Sequence, residues 1–393
     1  MLNEKQRGVI ALLRSALTGQ AEILPQGFSM EQVMPEIRRQ HLSVIAYCGA
    51  VTCGISPETP AVQELLSDVG KHISISEGQM TELKMLEDAF EAAGVDYMLL
   101  KGAVMKSLYP RPEMRAMSDA DILIRVEQQE LIAETMKKLG FEKGIESDHE
   151  LNWTKPSLHV ELHKRPMPSY NKRFYAYYGN GWDRGKPSKD AKHRYEMSWE
   201  DFFIFLFSHF TKHFRDGGIG LLQLCDLQLY RDKYSMNEAY ILKEMKKLHL
   251  DVFYKNVMEA LNVVFCGAEE QDAADVILQV IFSSGAYGTK QQQRISWAVR
   301  HTEKTDGVKK VKRRMLLELV FLPYWRMCLK YPFLRKLPFL LPIMWVVRWI
   351  DTLLFRRKKI RQETELLRRM TPEEISEYQC RLSYVGLELN KKE

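Results

Sequence analysis

Apolar and polar positions along this chain repeat with two different periods, and the change from one to the other divides it. Over the first 93 residues the period is helical. Val9, Ile10, Leu12, Leu13 and Leu17 recur on one face, and a run of helix formers from Val62 to Ala93 stops at Gly94. From Tyr97 the pattern shortens. The apolar run Tyr97 to Leu100 predicts a strand, followed by a helix around Ala103 to Leu108 and a loop through Pro110 and Pro112. A strand Ile122 to Val126 comes next, then a helix from Glu127 to Leu139 that Gly140 closes. In the stretch LHVELH, Leu158, Val160 and Leu162 alternate with His159, Glu161 and His163, the period of a half-buried strand. Residues 164–198, rich in Lys, Arg, Tyr, Gly and Pro, predict a long irregular connection whose Trp182 and Tyr195 either stack on a base or cover an edge of the core. Helical spacing returns at Trp199, behind an approximate capping box of Ser198 and Asp201, and runs to about His301.

These elements predict an α+β fold, a small mixed sheet between helical N-terminal and C-terminal regions. The divisions expected are a helical region 1–93, a core 94–195, a helical domain 196–305 and a helical C-terminal region 306–393. At 393 residues with 45% apolar content the chain is long enough for two domains, and large-scale disorder is excluded. Its six cysteines form no C-x-x-C pair, and the start MLNEKQRGVIALL lacks the apolar core and cleavage site of a signal peptide. A cytoplasmic location with free thiols is therefore expected.

The chemistry concentrates between Tyr97 and His163. In an extended segment Asp119 and Asp121 share one face, and two outward carboxylates side by side repel unless a cation lies between them. Divalent ions that take oxygen ligands and accompany nucleotide phosphates answer that need. Glu161, on the polar face of the later strand, supplies a third carboxylate. The turn Lys101-Gly102 ahead of a helix offers backbone N–H groups and a cation to phosphates. Arg115 either neutralises phosphate charge or forms an ion pair that fixes the carboxylates, and Ser118 is a turn or capping residue beside them. His159 and His163 flank Glu161, where they either contact phosphate, orient other groups or bind a Zn²⁺ or Mn²⁺ of their own.

The order Lys-Gly, Asp-x-Asp and then a lone acid on a later strand resembles the polymerase-beta-like nucleotidyltransferases. Within them it is most similar to the uncharacterised branch with LKG, Y-P, R, D-x-D and H-x-E-x-H. The resemblance implies a nucleotidyltransferase core that moves an NMP from an NTP, ATP being favoured, to an unknown hydroxyl acceptor with release of pyrophosphate. It also implies Mg²⁺, with Mn²⁺ as a substitute, bound by Asp119, Asp121 and Glu161. Lys101, Gly102, Arg115 and Ser118 would hold nucleotide. Ala103 departs from the superfamily's usual Gly-Ser, and Lys101 would replace the missing hydroxyl. His209 and His213, four apart on a predicted helix, share a face, and Lys212, His213 or Asp226 would reach the nucleotide if the helical domain closes over it; a purely structural role for the two histidines is the alternative.

The formal charge is +6, but from Lys309 to Arg361 there are 15 Lys and Arg against Glu318 and Asp351, a local net of +13 that leaves −7 elsewhere. This segment also holds Trp325, Tyr331, Phe333, Trp345 and Trp349. It predicts contact with a membrane surface or nucleic acid, or a helix pair that completes the core. Its longest uncharged run, Leu337 to Val347, is eleven residues with two prolines, so no transmembrane segment is expected. The rival to an enzyme is a catalytically silent module of the same fold that binds through this region.

Overall fold

The computed structural model describes residues 1–301, 308–355 and 357–387. Four helices precede the sheet: α1 (Glu4–Thr18), α2 (Met30–Arg39), α3 (Ser43–Thr52) and α4 (Pro60–Ala93). α1 starts in a capping box, in which the Gln6 amide donates to Asn3 Oδ1 and the Asn3 amide to Gln6 Oε1, each at 2.9 Å. It packs against α3 at Gly49, where any side chain would run into the Leu12 carbonyl. α4 begins with Pro60 and ends where Gly94 turns left-handed at φ 76°, the stop its sequence predicts.

The sheet comprises β1 (Tyr97–Leu100), β2 (Ala120–Ile124), β3 (Glu142–Glu146), β4 (Glu150–Lys155) and β5 (Leu158–His163), in the order β1-β2-β5-β4-β3. β2 and β5 run parallel and the other pairs antiparallel, so the sheet is small and mixed. Helices α5 (Lys101–Met105) and α6 (Gln129–Lys138) connect its strands. Alternation gives the sheet two unlike faces. One carries Tyr97, Ile122, Val160, Leu162 and Trp153 into a core with Leu83, Leu86 and Phe90 of α4 and Ile132 and Met136 of α6. The opposite face carries Met98, Asp121, Leu123, Glu161 and His163.

Three local expectations change. β2 starts two residues earlier than its apolar run suggests, because parallel pairing of Ala120 with Val160 and Asp121 with Glu161 extends it backwards. Asp121 therefore lies inside the strand and is buried, while Asp119 comes just before it. β3 and β4 form a hairpin absent from the sequence reading, since β3 is polar and exposed and shows no apolar alternation. The connection 164–198 is partly regular: it contains α7 (Lys172–Tyr178) and the ribbon of β6 (Gly185–Pro187) and β7 (Tyr195–Met197). It covers the second sheet face, with Gly181 against Pro166 and Leu123 and Gly185 against Met98. Trp182 and Tyr195 take the edge-covering role. The Arg125 guanidinium lies 4.1 Å from the Trp182 ring centre, and the indole donates to the Ile124 carbonyl at 3.4 Å.

Beyond the sheet come α8 (Trp199–Asp216), α9 (Leu221–Lys233), α10 (Glu238–Lys247), α11 (Asp251–Cys266) and α12 (Asp272–Ser284). α8 is buried along most of its length, Phe203, Phe205, Phe207, Phe210 and Phe214 included. Then follow α13 (Lys290–His301), α14 (Val308–Val320), α15 (Tyr324–Lys330), α16 (Leu341–Phe355), α17 (Arg357–Arg369) and α18 (Pro372–Tyr384). The described chain divides into two compact units. The first comprises 1–214, 218–288 and 385–387; the second comprises 215–217 and 289–384. Arg356 and the side chains of Lys309, Trp325 and residues 358–360, part of the basic segment, lie outside what the structure describes.

Candidate active site

Parallel pairing of β2 with β5 is what builds the site. It sets Asp121 directly beside Glu161, and antiparallel pairing sets Leu100, the residue before Lys101, beside Asp121. Three elements thus bring Lys101, Asp121, Glu161 and His163 together on the sheet face away from the α4 core. Asp121 is 3% exposed and accepts from Lys101 Nζ and, at 2.7 Å, from His163 Nε2. The same imidazole nitrogen is 3.8 Å from Glu161 Oε2. Donor atoms of Asp121, Glu161 and His163 all lie within 4.8 Å of one another, a spacing that a single cation can gather. His163 also belongs to a second such group, with His149 and Glu150, and its Nδ1 is buried without a partner among the described residues.

Charge is not balanced here. Burial would raise the Asp121 pKa, but the Lys101 ammonium and the His163 hydrogen bond outweigh it and hold the carboxyl well below the usual range. For Glu161 the balance goes the other way: burial, then repulsion from Asp119, Glu150 and Asp121, outweigh the pull of Lys101 and push it up to about 8. His163 is lowered, first by burial, and is neutral. Lys101 is raised despite burial, because Asp121, Asp119 and Glu161 all favour its charge. One ammonium thus faces the Asp121 carboxylate and a Glu161 that burial and repulsion keep protonated near neutral pH, and a divalent cation would let the acids ionise together.

The remaining candidates are placed as follows. Asp119 is half-buried and accepts from the Ser118 hydroxyl at 2.6 Å. The left-handed bend falls on Lys101, at φ 44°, and not on Gly102, whose bare α-carbon instead gives room to Met117 and the Arg115 guanidinium. Arg115 is directed away from the aspartate pair. Its Nε and Nη2 donate to Asp226 of α9 at 2.9 and 2.8 Å, and Tyr109 donates to the same carboxylate at 2.8 Å. His213 and His209 share a hydrogen bond at 3.0 Å between their Nε2 atoms. Burial, then neighbouring Lys212 and Lys101, lower His213 to about 3, and His209 is likewise depressed, so the pair is neutral beside the Lys101 charge. His159 is turned to Asn152, at 3.0 Å.

Sequence reasoning missed His149 and Glu150. They sit on and before a strand that carries no clear apolar run, although Glu150 pairs with His163 across the β4–β5 ladder. It also gave Asp226 no role as the partner of Arg115, a contact between residues 111 positions apart.

The family described as uncharacterised nucleotidyltransferase has a sequence model that matches residues 26–265, over half the chain and across every residue of the site. The chain belongs to this family. It is a nucleotidyltransferase, and its α+β core is the one the sequence resemblance implies. No curated protein matches the chain. Among solved structures it is similar to the antibiotic-resistance factor ANT(2'')-Ia, at 11% identity over 49% of this chain and 100% of that one, with a TM-score of 0.33. A likeness that loose assigns nothing to the nucleotidyltransferase's substrate.

Proposed function

We propose that the protein transfers an NMP from an NTP, with ATP favoured, to a hydroxyl acceptor and releases pyrophosphate, using Mg²⁺ or Mn²⁺. The observation that carries this reading is the gathering of donor atoms of Asp121, Glu161 and His163 within 4.8 Å, where burial and the charges of Asp119, Glu150 and Asp121 push Glu161 up to about 8. Asp121 and Glu161 would hold the ion, with Asp119 at the mouth and His163 positioning Asp121. A bound divalent ion there would neutralise triphosphate charge and lower the pKa of the acceptor hydroxyl.

The residues of the chain do the rest. Lys101 is ion-paired with Asp121; with a divalent ion on the carboxylates its ammonium would be free to contact phosphate oxygen. Glu161, the acid on the separate strand β5, would take the proton from the acceptor hydroxyl as that oxygen attacks the α-phosphorus and the bond to pyrophosphate breaks. The neutral His213–His209 pair adds hydrogen-bonding capacity without charge, suited to a nucleotide already attended by Lys101. Arg115 supports the site from behind through Asp226.

The test is incubation with each of four α-labelled NTPs and Mg²⁺ or Mn²⁺, in the presence of a small-molecule and macromolecular extract. Label moved to an acceptor by the native protein and not by Asp121→Asn supports the reading. Failure to bind any NTP with either metal, by calorimetry, overturns it.

A further inference from the structure

The outer face of α16 is apolar where a soluble protein presents polar side chains. Ile343, Val346, Val347, Ile350, Leu353 and Leu354 recur at helical spacing, and each is 43–62% exposed. The inner face is held. Trp345 Nε1 donates to the Leu322 carbonyl at 2.9 Å, Trp349 Nε1 to Val320 at 2.7 Å, and Met344 and Trp345 pack on a small core of Met327, Cys328 and Leu334. The helix therefore has a fixed orientation, and its outward stripe is not a face waiting to complete that core. The stripe continues into Phe355 at 80% and Phe339 at 72% exposed, and Leu316, Leu317 and Val320 of α14 add to it. Such a surface exceeds the scattered apolar residues normal on a monomer.

Exposed cations lie on the segments next to it in sequence. Phe333, Leu337 and Phe339 stand out around exposed Arg335 and Lys336, and exposed Arg313 and Arg357 lie on α14 and α17. Beside the stripe a cavity of about 530 Å³ is walled by Leu316, Val320, Trp349 and Leu353, and its border carries Lys330, Arg348 and Arg294 against the single acid Glu363. Apolar depth with a basic border is the pattern of an interfacial membrane element.

We propose that this unit docks on the surface of an anionic phospholipid bilayer, inserting the α16 stripe among the acyl chains. Charge and shape choose this occupant. The local net of +13 repels a second copy of itself. Aliphatic side chains neither stack on bases nor neutralise phosphates, which removes nucleic acid. By length and composition the 18 residues Pro338–Phe355 are apolar enough to cross a bilayer, with mean hydropathy 1.5 and none buried. The regular helix, however, has 15 residues, about 22 Å at 1.5 Å per residue, against a hydrocarbon core of about 30 Å, and carries Arg348 and Asp351. It lies in the interface and does not span it.

The experiment is flotation of the full-length protein with vesicles of phosphatidylcholine alone or with phosphatidylglycerol added, at low and high salt. The native chain is expected to float with the anionic vesicles, less so at high salt, and to be released by alkaline carbonate. Val347→Glu with Ile350→Glu, and separately Arg335→Glu with Lys336→Glu, are each expected to weaken binding about ten-fold or more. All these side chains are exposed, and unchanged thermal melts check that the variants fold. Absence of flotation, unchanged flotation of both variants, retention after carbonate, or a protein dimer that the stripe variant abolishes would each overturn the proposal.

Discussion

At the scale of single residues, the site is a problem of too little positive charge. Asp121→Asn removes the one carboxylate that both Lys101 and His163 address; transfer is expected to fall by about 10²–10³-fold or more in a steady-state assay with saturating metal. Lys101→Met separates two roles. With its ammonium gone from the carboxylates, Mn²⁺ should bind no more weakly by calorimetry, while KM for NTP rises about ten-fold. Glu161 gives a pH signature with a definite sign. Its carboxyl is pushed up to about 8 in the folded protein without metal, against 4.5 for a freely solvated glutamate. The folded state therefore holds the extra proton across that window, and the stability this contributes is complete below the lower value and lost as pH rises through about 8. Thermal melts of the metal-free protein should fall across this interval, Glu161→Gln should flatten the fall, and Mn²⁺ should restore the melting temperature at its alkaline end.

At the scale of elements, two contacts decide whether the site is held. Phe90 of α4 is fully buried beneath the sheet, and Phe90→Ala should cost about 3–5 kcal/mol in denaturant unfolding. Asp226 is buried with a bidentate Arg115 and the Tyr109 hydroxyl. Asp226→Ala leaves that guanidinium charged and unpaired, for an expected loss of about 3–5 kcal/mol, larger than removal of an exposed partner such as Asp88 of Lys84. Much of this level was readable in advance. The glycine stop after α4, the alternation of β5 and the strand-helix-strand order followed from local pattern. The strands missed were those whose evidence is not local: β3 is polar because it is an exposed edge, and β2 gains Ala120 and Asp121 only through pairing with a strand forty residues on. Arg115 was misdirected for the same reason, since its partner on α9 is a matter of tertiary packing. Lys101 could not be read as the bend, because a left-handed backbone at a lysine has no sequence signal while an adjacent glycine has one.

At the scale of the whole molecule, charge is segregated: a family core with net acidity is joined in sequence to a strongly basic segment. Composition exposed that segregation but could not tell a core-completing helix from an outward one. Only the position of α16 on its own small core distinguishes them. The two units are compact in themselves, so disturbance of one stripe of exposed side chains in the second should leave NTP binding in the first unaltered, as calorimetry on the Val347→Glu, Ile350→Glu protein would show.

The exposed edge of the sheet has a consequence of its own. No further strand follows β3 among the described residues, and its unpaired rim is studded with Glu142, Lys143 and Glu146 and interrupted by a register shift between Lys143 and Glu146. An open rim of backbone amides is an invitation to cross-molecular pairing, which charged side chains and a kink discourage. Exchange of these three residues for valine would therefore cause harm first as fibrils in a concentrated stock, seen by thioflavin fluorescence, well before any loss of melting temperature.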